Sequence, residues 1–158
     1  MSGPFEIRPA AADGPAARAL YEQYIALVCE RIPGFAPTER IFASEDAFAG
    51  EGGAWLVAYD EDDAPVGCGG LRTLAPGVGE IKRMFVTRRA RGAGLGRRLL
   101  RELEQRAAAH GHRRVRLLTT EVLSEAIALY DAEGYRPVQR TQRAGEPVSI
   151  WMEKELAG

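Results

Sequence analysis

At 158 residues the chain has the length of one domain with room for a sizeable core, so residues 1–158 are expected to fold as a single unit. A net charge of -1 argues against a general polyanion-binding surface. Its two cysteines, Cys29 and Cys68, lie far apart in the chain and form neither a metal-ligand pattern nor a disulfide framework.

The opening MSGPFEIRP lacks the basic and apolar regions of a signal peptide, and the apolar runs are too short to span a bilayer. A reduced, cytoplasmic setting is the default expectation. Phe5 to Arg8 reads as a first strand closed by Pro9. Pro15 suits the start of a helix, and Ala16 to Glu30 carries Leu20, Tyr24, Leu27 and Val28 at helical spacing. Cys29 falls in this run and is expected to be buried. After Pro33, Gly34 and Pro37, Thr38 is an N-cap for a second helix with Ile41, Phe42 and Phe48 on its apolar face. Gly50, Gly52 and Gly53 end it.

Ala54 to Tyr59 and Val66 to Leu74 read as a hairpin around the acidic turn Asp60 to Pro65. Cys68, between glycines on the second strand, is expected to pack inside. A turn at Pro76-Gly77 leads to a strand from about Gly79 to Val86. A helix follows from about Leu95 to His110, stopped by Gly111. His110 and His112 read as charges at its end. Val115 to Thr119 is an apolar strand. Ser124 is expected to cap a helix through Glu133, and Tyr135 to Arg140 with Val148 to Glu153 make a last hairpin. Hairpins and helical crossovers alternate, which predicts one mixed sheet with helices on both faces. The pattern alone leaves the strand order open.

The most informative stretch joins the strand ending at Val86 to the helix that follows it. Met84, Phe85 and Val86 end the strand; Gly92-Ala93-Gly94-Leu95-Gly96 follows; Leu95, Leu99 and Leu103 then repeat every four residues. The first turn of a helix carries N–H groups without internal partners, and the helix dipole adds positive character there. Glycines let a phosphate approach the backbone, and Arg88, Arg89, Arg91, Arg97 and Arg98 surround the joint. It is not a P-loop, for no Gly-Lys-Ser/Thr follows. It is not the dinucleotide fingerprint either, because Arg97 stands where the third glycine would be. A plain glycine turn with solvated arginines is the bland alternative.

What remains, Arg91-x-x-Gly94-x-Gly96 after an apolar strand, resembles the acetyl-CoA loop of the GNAT superfamily of N-acetyltransferases. A second stretch, EAIALYDAEGY from Glu125 to Tyr135, resembles that family's second motif, and the order of elements matches over nearly the whole chain. The resemblance implies an α/β (α+β mixed) GNAT fold, with a single mixed, mostly antiparallel sheet and helices on both faces. It implies acetyl-CoA as cosubstrate, no metal, and transfer of the acetyl group to an amine by direct attack. Met84, Phe85 and Val86 would offer backbone groups to the pantetheine arm in a gap between splayed strands, with Thr119 across the gap. Arg91, Gly92, Ala93, Gly94, Leu95, Gly96 and Arg97 would hold the pyrophosphate.

Tyr130 falls on the position that protonates the departing thiolate in many members; the lesser alternative, compatible with that role, is a core residue packed on Ala126 and Ile127. Glu80 is the candidate base, Glu121 the second; either could instead be a solvated carboxylate at a strand end. Many members carry Asn where this chain has Leu123, so a polar cofactor contact is missing or comes from Ser124. The acceptor would lie along about Tyr24 to Phe48, with Arg31, Phe35, Glu39 and Glu45 as lining, and no motif there names it. A homodimer is common in the family. The alternative function is a CoA-thioester-binding or sensing module without turnover. A nucleic-acid binder using the basic residues from Lys82 to Arg116 is disfavoured for want of any such motif, and no membrane partner is expected.

Overall fold

The computed structural model describes residues 4–34 and 46–157. The described elements are β1 (Glu6–Pro9), α1 (Pro15–Arg31), α2 (Asp46–Ala49), β2 (Ala54–Tyr59), β3 (Pro65–Ala75) and β4 (Val78–Val86). A 3-10 turn at Arg88–Ala90 leads to α3 (Leu95–His110), β5 (Arg114–Thr120), α4 (Ser124–Ala132), β6 (Arg136–Thr141) and β7 (Ser149–Glu155). The strands form one sheet in the order β1-β2-β3-β4-β5-β7-β6. β4 and β5 are parallel, joined by the α3 crossover, and the other neighbours are antiparallel. This is the mixed, mostly antiparallel sheet expected. Among the described residues no helix is long and apolar enough to cross a membrane.

Each face of the sheet has its own core. The leucine repeat of α3 buries Leu95, Leu99, Leu100 and Leu103 against Leu56, Ala58, Val66, Ile81, Leu117 and Met152. Truncating one of them, as in Leu99→Ala, should cost roughly 2–5 kcal/mol. On the opposite face, Ala17 and Leu20 of α1 and Phe48 of α2 pack with Trp55, Val57, Cys68 and Phe85. β2 is covered on both sides, which is why Trp55 to Ala58 is a continuous apolar run and not an alternating one. Gly70 makes the second core possible: a Cβ there would run into the Phe48 ring. β6 is an exposed edge strand, and Pro137 helps to blunt it.

One irregularity opens the sheet. The β3–β4 ladder slips between Cys68 and Gly70, and Arg83 opposite has a φ of 56°. Such a bulge bends the strand and increases its twist. The parallel β4–β5 pairing then stops at Ile81 and Leu117, although β4 continues to Val86 and β5 to Thr120. The expected gap between splayed strands is therefore present.

Three local expectations need correction. Cys29 is exposed, because it falls on the outer side of α1, whereas Cys68 is buried as expected. Ser124 does not cap α4: the cap position is Leu123, and the Ser124 hydroxyl instead donates to Glu125 Oε2 at 3.3 Å. Only Asp46–Ala49 of the second helix is described, so Thr38, Ile41 and Phe42, and the proposed lining residues Phe35, Glu39 and Glu45, lie outside the described residues.

Candidate functional site

The site begins where β4 leaves the sheet. After Val86 the 3-10 turn is closed by the Ala90 amide on the Thr87 carbonyl at 3.0 Å. Gly92 and Gly94 then take φ values of 87° and 78°, a region that other residues enter only with strain. Gly94 is the N-cap of α3 and brings no side chain to the first-turn amides. A serine or aspartate there would occupy those amides itself; glycine leaves them for a ligand. A Cβ on Gly92 or Gly94 would meet nothing within 4 Å, so their faces are open. A Cβ on Gly96 would press on Leu129 at 3.2 Å.

This loop forms one wall of a cavity of about 470 Å³. The other walls are Met84, Phe85 and Val86 of β4, Tyr24 and Leu27 of α1, and Leu123, Glu125, Ala126, Leu129 and Tyr130 along α4. Of the residues expected to contact the cofactor, Met84, Phe85, Val86, Arg91, Gly92, Gly94, Leu95, Gly96 and Arg97 all line it; Ala93 does not. The α1 residues and Glu125 were not expected there as cofactor neighbours. Tyr24 and Leu27 sit at helical spacing, a signal identical for residues facing a core and residues facing a cavity.

The arginines around the joint divide into two groups. Arg88 pairs with Glu30 at 3.6 Å, Arg89 with Asp60 at 2.7 Å, and Arg98 donates to the Phe5 carbonyl at 3.2 Å. The Asp60 carboxyl is held below the usual carboxylate range by the Ala64 amide first and Arg89 next. These three arginines fasten the loop to its surroundings. Arg91 and Arg97 are the ones that line the cavity: Arg91 Nε donates to the Val86 carbonyl at 3.2 Å, and Arg97 lies 3.4 Å from Glu133.

Tyr130 belongs to the core and to the cavity at once. Its ring packs 5.8 Å from that of Tyr135 and also lines the cavity. Burial, and then the Tyr24 phenol, push its pKa above the ordinary phenol value. The hydroxyl is therefore a proton-bearing donor at any working pH.

Glu80 stands elsewhere. It is 1% exposed and does not line the cavity; Arg72 Nε lies 2.5 Å from one oxygen and Lys82 Nζ 3.9 Å from the other. Three residues of strand lie between it and Met84, roughly 13 Å. Glu121 accepts the Val148 amide at 3.2 Å. Thr119 is buried opposite Ile150 and is not part of the lining.

A family model described as the acetyltransferase (GNAT) family matches residues 20–135. The chain is 41% identical over 93 residues to an IAA acetyltransferase of Azospirillum brasilense, covering 58% of this chain and 61% of that one. It thus spans less than two thirds of that relative's length. An acetyltransferase of the GNAT family from Staphylococcus aureus matches with a TM-score of 0.80 at 17% identity, over 97% of this chain and 99% of that one. A GNAT superfamily phosphinothricin acetyltransferase from Sinorhizobium meliloti, solved in complex with acetyl-CoA, matches with a TM-score of 0.73 at 23% identity, over 98% and 89%. At these identities the likeness to the two structures is one of fold.

Proposed function

The chain belongs to the acetyltransferase (GNAT) family, and from that premise we propose that it moves an acetyl group from acetyl-CoA to an amine by direct attack in a ternary complex. The observation that carries this reading is a single cavity running from the uncapped first turn of α3 to the Tyr130 phenol. Its phosphate end has bare amides and two arginines. Its far end has apolar walls and two phenols, Tyr130 and Tyr24. A thioester joined to a pyrophosphate by a long uncharged arm matches both.

In this reading the amides of the Gly94–Arg97 turn, with Arg91 and Arg97, hold the pyrophosphate. The edge of β4 from Met84 to Val86, which β5 no longer covers, lies along the arm. The acceptor nitrogen, entering through the gap between β4 and β5, attacks the thioester carbonyl. The carbon–sulfur bond breaks and the thiolate leaves. Tyr130 donates a hydrogen bond to the developing thiolate and then its proton, giving the free thiol of CoA, and the proton that the attacking nitrogen sheds as the amide forms restores the phenol. An alkylamine has a pKa of about 10.4, so only about one in 10³ is neutral at pH 7. Glu80 is the group that takes its proton, through water, with Glu121 as the alternative. The amide and CoA are the products. Residues 1–158 act as one domain in the cytoplasm, without metal, nucleic acid or membrane, alone or as a homodimer.

The test is titration with acetyl-CoA followed by release of free CoA thiol across a panel of amines. Saturable binding and amine-dependent release are expected. Binding without amine-dependent release by any member would leave the sensing reading in its place.

A further inference from the structure

The sheet face opposite α3 carries a row of charges that crosses five strands in register. Arg72 on β3 stands opposite Glu80 on β4, Glu80 opposite Arg116 on β5, and Arg116 opposite Glu153 on β7. Glu153 in turn stands opposite Arg136 on β6. Residues directly opposite share a face, so the row is continuous. Among the described residues it is not balanced. Glu80 is shared by Arg72 and Lys82, while Glu153 is shared by Arg114, Arg116 and Arg136 at 3.5, 3.7 and 3.8 Å. Arg114 also stands directly opposite Glu155 on β7, so five cations face three carboxylates.

The carboxylates are buried, but the Lys82 and Arg116 side chains are 28% and 29% exposed. Their pairings are also loose. Lys82 Nζ is 3.9 Å from Glu80, and the buried Arg116 Nε has no hydrogen-bond partner. A buried donor without an acceptor is costly, and a second anion would relieve it.

The position of this excess matters. The β4–β5 pairing ends at Ile81 and Leu117, so Lys82 and Leu118 are the first residues on either side of the gap. Lys82 is two residues from Met84 of the cavity wall, roughly 7 Å along the strand. Leu118 is 49% exposed and lies opposite Trp151, whose ring sits 5.1 Å beneath the Arg116 guanidinium. Cationic donors thus stand beside an apolar shelf at the root of the gap.

We infer that the acceptor is a small amino acid, an amine carrying a carboxylate and an apolar side chain. Its carboxylate is held by Lys82 and Arg116, and its side chain lies on Leu118 and Trp151. The same field repels polyamines, whose additional ammonium groups would meet these cations. The inference rests on the acetyltransferase reading and names the acceptor class for that same site.

The experiment compares phenylalanine with phenylalaninamide and phenethylamine, which share its ring and amine but lack the carboxylate. Binding to the CoA-loaded protein is measured by calorimetry, and CoA release is measured in parallel. Phenylalanine should bind and react best. In Lys82→Gln and Arg116→Gln, its kcat/KM relative to phenethylamine should fall at least about tenfold, the size of one lost charge-assisted hydrogen bond. The loss should lie in KM. Equal binding of all three compounds, a preference for spermidine, or a ratio unchanged in both folded variants would overturn the inference. Carboxylate-dependent binding with no CoA release would keep the anion site and count against acetyl transfer instead.

Discussion

Arg31 on the last turn of α1 lies 2.5 Å from Glu125 on the first turn of α4, and its guanidinium also donates to the Val122 carbonyl at 3.2 Å. The pair joins two helices that line the same cavity from opposite sides. Both side chains are partly exposed, at 28% and 47%, so the ion pair should contribute only about 0.2–1 kcal/mol. Arg31→Ala should therefore raise the acetyl-CoA Kd about 2- to 5-fold and lower Tm by no more than about 4 °C. Titration calorimetry decides this; an unchanged Kd would make the pair a surface contact with no bearing on the cavity.

Gly94→Glu sets a carboxylate where the phosphate must approach the α3 amides. Its Cβ meets nothing within 4 Å, so the cost to the fold is the strain of a φ of 78°, on the order of 1 kcal/mol. Acetyl-CoA affinity should fall by about 10² or more while the circular dichroism spectrum is retained. A folded variant that binds acetyl-CoA normally would place the phosphate site elsewhere.

Tyr130→Phe keeps the ring against Tyr135 and removes the proton donor. Turnover should drop on the order of 10²-fold with little change in acetyl-CoA binding. Because burial and Tyr24 hold the phenol above its ordinary pKa, wild-type kcat/KM should show no falling limb from Tyr130 up to about pH 10. Near-normal turnover in the variant would reduce Tyr130 to a packing residue.

Glu80→Gln tests the base and its ion pair together. Turnover should fall most near neutral pH and less at high pH, where the amine loses its proton unaided. The substitution would also leave Arg72 facing a neutral amide in a buried place, so urea unfolding should show a loss of roughly 1–3 kcal/mol. Loss of stability with a uniform fall in rate across pH would assign Glu80 to structure; no fall in rate would turn attention to Glu121.

His112 gives the fold a pH dependence. It is 6% exposed, packed beside Gly79, with Thr73 Oγ1 3.3 Å from its Nε2. Burial, and then His110, hold its imidazole below the usual pKa. The unfolded chain, at about 6.5, takes up a proton that the folded one refuses. The contribution of this group is thus fully present above pH 6.5 and is lost as pH falls from there through the folded-state pKa. The urea midpoint should decline across that window in the wild type and less steeply in His112→Gln. Parallel profiles would assign the decline to other groups.

Much of this protein was legible in its sequence because much of it is local. Ala54–Tyr59 and Leu95–His110 have the predicted limits, set for the strand by Gly53 and the acidic turn and for the helix by Gly94, Gly111 and the leucine repeat. The glycine joint could be read as an anion site because helix geometry alone leaves the first-turn amides open. The family motifs carried the fold and pointed to ten of the residues that line the cavity, Tyr130 among them.

Tertiary structure decided what depends on residues far apart in the chain. Five arginines cluster around the joint in sequence, yet Glu30, Asp60 and the Phe5 carbonyl draw three of them away and leave Arg91 and Arg97 on the cavity. Glu80 looks like any carboxylate near a strand end until register sets Arg72 and Arg116 on either side of it. The charge row from Arg72 to Arg136 joins five strands of which no local pattern gives the order. Helix period and turn chemistry are properties of neighbouring residues; ion pairs across a sheet exist only once the strand order and register are set.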